Sequence, residues 1–103
     1  MEKIASRNFD KQNPHRLETY LQGGGYEGAR KAITQMTPAQ VIDEVKKANL
    51  RGLGGAGFAT GMKWSFIPAA NPKPKYLVIN GDEGEPGTFK DKYIFERDPH
   101  ALL

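Results

Sequence analysis

The sequence predicts an α/β fold in which helices surround a mostly parallel sheet that is incomplete in this chain. Three stretches carry that expectation. Thr37-Pro38-Ala39-Gln40 opens a helix: threonine at the cap, proline in the first helical position, and glutamine three residues on to close a capping box. Tyr76-Leu77-Val78-Ile79 is a short, continuously apolar run of the kind found in strands buried on both faces of a parallel sheet. Between them, residues 51–64 are rich in glycine, which persists where the backbone needs positive φ or must let a ligand come close.

Taken in order, residues 1–36 form an irregular and helical lead-in. Asn13-Pro14 suits a turn, and Leu17, Tyr20 and Leu21 offer a small apolar contact before Gly23-Gly24-Gly25 interrupts regular structure. Residues 26–34 have helical spacing, with Tyr26, Ala29 and Ile33 on one side. Residues 37–66 comprise the capped helix, the glycine loop and a short helix. Val41, Ile42, Val45 and Ala48 are the expected buried stripe, and Asn49 the expected C-cap. Thr60 is a plausible N-cap for the short helix around Lys63, and Trp64 belongs to packing. A connector with three prolines spans residues 68–74. Residues 76–103 hold the apolar strand, the acidic turn-rich loop Asn80-Gly81-Asp82-Glu83-Gly84-Glu85-Pro86-Gly87, and a helix over 88–97. Asp98-Pro99 then announces another helix. A lone strand of buried character needs neighbours, so the expectation is the N-terminal part of something longer.

At 103 residues the chain is one domain at most. It is 38% hydrophobic with 12 Gly and 7 Pro, a globular but loop-rich composition. A net charge of +3 with scattered Lys and Arg argues against nucleic-acid binding. No apolar run reaches the roughly 18 residues of a membrane span, and the N-terminus lacks an apolar signal core, so secretion is not expected. With no cysteine, the chain itself holds neither a disulfide nor a thiolate-bound zinc or iron–sulfur cluster. His15 and His100 lie far apart and suit solvated residues better than metal ligands.

The glycine loop offers unpaired N–H groups, the start of a helix and a lysine one turn in, which together suit a phosphate or nucleotide cradle. A generic flexible turn is the competing reading. Gly52-x-Gly54-x-x-Gly57 fits the dinucleotide pattern but follows a helix rather than a strand, and the P-loop pattern fails at Met62. In the acidic loop, Asp82, Glu83 and Glu85 suit a ligand site at a strand's C-terminal end, a plain polar turn, or an oxygen-ligand metal site. Phe58 and Phe66 read equally as core aromatics, and Lys63 as a solvated helix residue. No Ser/His/Asp or Cys/His arrangement supplies a nucleophile.

Arg51-Gly52-x-Gly54-Gly55-Ala56-Gly57-Phe58-x-Thr60-Gly61-x-Lys63-Trp64, followed by Asn80-x-Asp82-Glu83-x-Glu85-Pro86-Gly87-Thr88, resembles the flavin-bearing NADH-binding subunit of respiratory complex I. It is similar also to the diaphorase subunits of NAD-linked hydrogenases and formate dehydrogenases. Leu17-Glu18-x-Tyr20, Gly24-Gly25-Tyr26 and Asp98-Pro99-His100 extend the resemblance over nearly the whole chain.

The resemblance implies the N-terminal portion of a Rossmann-like domain that binds FMN and NAD(H). The enzyme implied is an NADH:quinone oxidoreductase flavoprotein subunit, which passes a hydride from NADH to FMN and electrons onward to iron–sulfur clusters. A diaphorase and a truncated non-catalytic nucleotide-binding paralogue are the alternatives. It further implies that Gly52, Leu53, Gly54, Gly55, Ala56 and Gly57 lie against the cofactors, with backbone contacts to FMN at the first three. Lys63 would reach the flavin, and Asn80, Asp82, Glu83 and Gly84 would line it. Phe58 and Phe66 would stack on the adenine of NADH, with Glu85 at the nicotinamide end. No side chain is implied as acid, base or nucleophile, because hydride passes between cofactors. The implied partners are the remainder of its own subunit, a thioredoxin-like [2Fe–2S] subunit and other electron-transfer subunits, with no nucleic acid and no membrane insertion. The implied location is cytoplasmic and peripheral to the inner membrane, or the matrix side in an organelle. The family's second flavin-phosphate loop and the four cysteines of its [4Fe–4S] cluster would lie beyond Leu103. Three positions depart from the family: Leu53 and Ala59 stand where arginine and proline are common, and Gly81 replaces a common alanine, a change expected to loosen the turn.

Overall fold

The computed structural model describes residues 2–103. Its helices in order are α1 (Leu17–Gln22), α2 (Glu27–Gln35), α3 (Pro38–Lys47), α4 (Thr60–Ser65), α5 (Lys90–Arg97) and α6 (Pro99–Leu102). Among the described residues the one β feature is an isolated antiparallel bridge between Arg51 and Ala59. The chain divides into two compact units: Gly28–Tyr76, and Met1–Glu27 together with Leu77–Leu103.

The Gly28–Tyr76 unit is organised by α3. Thr37 Oγ1 accepts from the Gln40 amide at 3.3 Å, while Gln40 Oε1 accepts from the Thr37 amide at 2.8 Å, and Pro38 fills the first helical position. Two of the four orphan amides at this end are therefore satisfied within four residues of sequence. At the other end Ala48, not Asn49, is the C-cap, and Asn49 follows with φ 51° to turn the chain out of the helix. Asparagine tolerates that left-handed conformation because its short polar side chain costs little there. α4 packs on α3 through Gly61, which is buried. A Cβ at Gly61 would lie 2.7 Å from both the Lys46 amide nitrogen and Cγ, and 3.1 Å from the Ile42 carbonyl oxygen.

The predicted stripe on α3 is covered less than expected. Val41, Ile42 and Val45 are half-buried and Ala48 is exposed. Among the described residues no hydrophobic side chain is fully buried, and Trp64, read as a packing residue, stays 43% exposed. A six-residue helix is too short to shield ten residues of α3. Tyr26, expected on the apolar side of α2, stands before it with φ 63°, and Ile33 faces solvent.

In the other unit, residues far apart in sequence are joined by side chains. Asn8 Nδ2 donates to Asp98 Oδ2 at 2.7 Å, and both residues are buried, Asp98 to 1% exposure. Asp98 Oδ1 has no partner among the described residues. The Tyr26 hydroxyl lies 2.9 Å from His100 Nδ1. Tyr20 meets Tyr26 edge-on at 5.0 Å between ring centroids, a favoured aromatic geometry. Gly25 is needed here, because a Cβ would fall 2.0 Å from the Tyr20 ring and 2.6 Å from its carbonyl oxygen. Asp98 precedes the first-turn proline of α6 as predicted, yet its side chain bonds Asn8 and makes no cap bond to the helix.

The apolar run at residues 76–79 differs most from expectation. It has no regular secondary structure and pairs with no neighbour among the described residues, and Leu77 and Val78 are each 88% exposed. A strand is stabilised by ladder bonds and cross-strand contacts from adjacent chain, and among the described residues no ladder partner is present. α5 starts at Lys90, two residues later than predicted. No helix among the described residues is long and apolar enough to cross a membrane.

Candidate functional site

The predicted site residues fall on two loops, one in each unit, with Lys63 in α4 and Phe66 at its C-cap. The glycine loop is a closed neck carrying an open tip. At the neck the Gly52 amide donates to the Phe58 carbonyl at 3.1 Å and the Thr60 amide to the Leu50 carbonyl at 2.9 Å, flanking the Arg51–Ala59 bridge. The Arg51 guanidinium braces it: Nη1 donates to the Gly57 carbonyl at 3.1 Å and Nε to Asn49 Oδ1 at 3.3 Å. Sequence reading placed Arg51 in the motif without a role. The signal, an arginine directly before the glycines, was there, but its acceptors became apparent only once the loop folded back.

At the tip, no hydrogen bond among the described residues engages the amides of Leu53, Gly54, Gly55, Ala56 or Gly57. Gly55 and Gly57 take φ 123° and 60°, and a Cβ on Gly54, Gly55 or Gly57 would meet nothing within 4 Å. Leu53 is fully exposed. The Gly52 amide is engaged by the Phe58 carbonyl. One expectation is corrected here. Thr60 is not the cap of α4 but its first residue, with Ala59 at the cap and no side-chain cap bond. The donors therefore lie in the loop rather than at the helix start. Phe58 and Phe66 come together, with centroids 6.1 Å apart and planes inclined by 55°, and both are exposed rather than core residues. Lys63 is exposed and joins no ion pair among the described residues.

The acidic loop is bonded internally instead. The Asp82 amide donates to Asn80 Oδ1 at 2.8 Å, the two-residue side-chain turn that asparagine favours. The Thr88 hydroxyl donates to the Glu85 carbonyl at 2.6 Å and lies 3.2 Å from the Glu83 carbonyl, and Gly87 supplies φ 86°. Both oxygens of the Glu83 carboxylate are engaged by α5: Oε1 accepts from the Asp91 amide at 2.7 Å and Oε2 from the Lys92 amide at 3.1 Å. Asp82, Gly84 and Glu85 remain exposed. Gly81 does not loosen this turn: a Cβ there would lie 2.5 Å from the Phe95 ring, so glycine lets the ring approach. Asn80 and Gly81 border a small cavity of about 60 Å³ against Ile94, Phe95 and Leu102. Lys90 pairs with Asp91 beside the loop. That hydrogen bond holds the Lys90 amine above its ordinary range, and the charges of Asp91 and Glu83 add to it. Among the described residues no three His, Cys, Asp or Glu side chains are grouped to hold a metal ion.

The model of the Nuo51 FMN-binding domain matches residues 45–103, which include both loops. The chain belongs to the Nuo51 FMN-binding domain family. It is 59% identical over 102 residues to an NADH-quinone oxidoreductase subunit of Rhizobium meliloti (strain 1021), covering 99% of this chain and 24% of that protein. Against the corresponding NADH-quinone oxidoreductase subunit of Aquifex aeolicus (strain VF5) the identity is 53% over 93 residues, 90% of this chain and 21% of the relative. The NADP-reducing hydrogenase subunit HndC of Solidesulfovibrio fructosivorans is 46% identical over 101 residues, 98% of this chain and 20% of the relative. The chain thus spans a quarter or less of the length of these Nuo51-family relatives.

Proposed function

We propose that this chain supplies the glycine-loop and acidic-loop part of an FMN site in an NADH dehydrogenase subunit. The observation that carries this reading is the glycine tip: five consecutive amides without partners among the described residues, with open space over Gly54, Gly55 and Gly57, in the FMN-binding family. The residues fit the group. FMN is an anion with a flat aromatic ring, and unpaired amides on a loop without Cβ obstruction suit its close approach. Bound there, FMN supplies the chemistry: it takes two electrons as hydride from a nicotinamide and passes them on singly.

The chain's own residues bind and orient. Leu53, Gly54, Gly55, Ala56 and Gly57 donate amide hydrogens, and Lys63, exposed and without an ion-pair partner among the described residues, adds a positive charge. The Phe58–Phe66 pair offers faces for the adenine of NADH. Asn80, Asp82 and Gly84 line the flavin, and Glu85 lies at the nicotinamide end. The apolar run at residues 76–79 becomes a strand of a parallel sheet completed by other chain, which accounts for exposed Leu77 and Val78. The subunit works as a peripheral member of a larger complex, handing electrons to iron–sulfur partners and a quinone. The likeness to the hydrogenase subunit supports a second reading in which the same module serves a hydrogenase.

The test is the complete subunit carrying this sequence, purified and scanned in the visible range. The expected result is one flavin per subunit, bleached on addition of NADH. Flavin-free protein that binds no NADH would overturn the reading. Electron transfer to a quinone analogue, against transfer to a hydrogenase partner, separates the two forms of it.

A further inference from the structure

Glu83 is the one acid of the Asn80–Gly87 loop whose carboxylate is taken up by the protein itself. Its two oxygens span the amides of Asp91 and Lys92, in the first turn of α5. These are among the amides a helix leaves unpaired, and among the described residues nothing else at this end serves them: Phe89 is the N-cap residue and makes no side-chain cap bond. Glu83 is also the half-buried member of the loop, whereas Asp82 and Glu85 are exposed. Its backbone is held as well, since its carbonyl oxygen lies 3.2 Å from the Thr88 hydroxyl, which donates also to the Glu85 carbonyl. Side chain and backbone thus fasten one residue to the segment on which α5 begins. The other two acids of the loop, Asp82 and Glu85, are left exposed.

We propose that Glu83 is a positioning residue rather than a flavin contact: its carboxylate anchors the acidic loop to α5 and so aims Asp82 and Glu85 at the cofactors. The proposal rests on the FMN and NADH reading for what the loop is aimed at, while the anchor itself rests on geometry. Charge-assisted hydrogen bonds of this kind are about twice as strong as neutral ones. Losing them leaves the loop its internal Asn80–Asp82 and Thr88–Glu85 bonds, neither of which ties it to α5. A flavin contact would behave differently, because its charge would act on the isoalloxazine and change the flavin's redox behaviour.

The experiment compares Glu83→Gln and Glu83→Ala with wild type in the complete subunit. Hydrogen exchange over the segment that holds Asp91 and Lys92, FMN dissociation, the KM for NADH and the midpoint potential of the retained flavin are measured. Glutamine keeps one acceptor but turns an NH₂ group toward an amide donor. The expected result for Glu83→Gln is faster exchange at Asp91 and Lys92, roughly tenfold weaker FMN retention or a roughly tenfold higher KM for NADH, and a wild-type potential in the flavin that remains. Alanine removes both bonds and should be worse in the same direction. A shifted potential with exchange unchanged would overturn the proposal and place Glu83 on the flavin. Faster exchange with FMN retention and KM both unchanged would overturn it too, leaving a helix cap without consequence for the site. A wild-type protein that carries no flavin and does not respond to NADH would remove the FMN reading and the positioning role with it. The exchange data would still show whether Glu83 holds α5, so the two failures are told apart.

Discussion

The two loops solve opposite problems with opposite means. The glycine loop is closed at its base by backbone bonds and one guanidinium, and its five tip amides have no partner among the described residues. The acidic loop is bonded along its length by its own side chains: Asn80 to Asp82, Thr88 to Glu85, and Glu83 to α5. The first keeps donors unpaired and uses glycine to leave space, while the second uses polar side chains to fix a course. A ligand-facing backbone must stay uncommitted, whereas ligand-facing side chains need a backbone that is already committed. Glycines serve both loops, but for different reasons. Gly54, Gly55 and Gly57 border open space, whereas Gly61 and Gly81 lie where another group presses in.

The largest effect should come from Gly61. Gly61→Val drives a branched side chain into the Lys46 and Ile42 backbone, which cannot swing aside as a side-chain tip can. A loss of about 1–3 kcal/mol or more in the stability of the complete subunit is expected, measured by denaturant unfolding. A wild-type midpoint would show that α3 and α4 do not pack as described. Gly54→Val sharpens the contrast, since a Cβ there meets nothing within 4 Å. Stability should hold, while affinity for FMN or NADH falls by about 1–2 kcal/mol in titrations of both ligands. Unchanged titrations would reduce the tip to an ordinary turn.

Glu85→Gln, in the acidic loop, removes a charge while keeping size and most hydrogen bonding. If Glu85 favours the cationic ring of NAD⁺ over neutral NADH, inhibition by NAD⁺ should weaken by about tenfold or less relative to NADH binding, with FMN retained. Equal effects on the two nucleotides would mark a steric role, and loss of FMN would move Glu85 to the flavin.

The smallest effect is a pH dependence confined to the acidic loop's side of the comparison. Lys90 has its pKa raised above 10.5, by the Asp91 hydrogen bond first, so its contribution is complete below that value and lost as pH climbs through the folded-state pKa. Wild-type stability minus that of Lys90→Gln should therefore shrink as pH rises past about 10.5. A difference that is flat from about pH 8 to 11.5, as charge titration in that range would not allow, would deny the Lys90–Asp91 bond a role in solution.

The sequence by itself determined what lies within one turn of chain. The Thr37–Gln40 box, the first-turn prolines 38 and 99 and the break at Gly23–Gly25 are local, because donor, acceptor and steric block sit within a few residues. The pairing of a glycine loop with an acidic loop was legible as well, and with it the family. Tertiary structure decided whatever needs a partner from elsewhere in the chain. Residues 76–79 have the composition of a buried strand but lie exposed, because a strand exists through its neighbours. Asp98 has the position of a cap but bonds Asn8, 90 residues away, and both oxygens of the Glu83 carboxylate accept from amides of α5. A polar side chain goes to the donor that most needs it once the chain has folded. No sequence spacing reveals which amide of a distant helix will be left unpaired beside it.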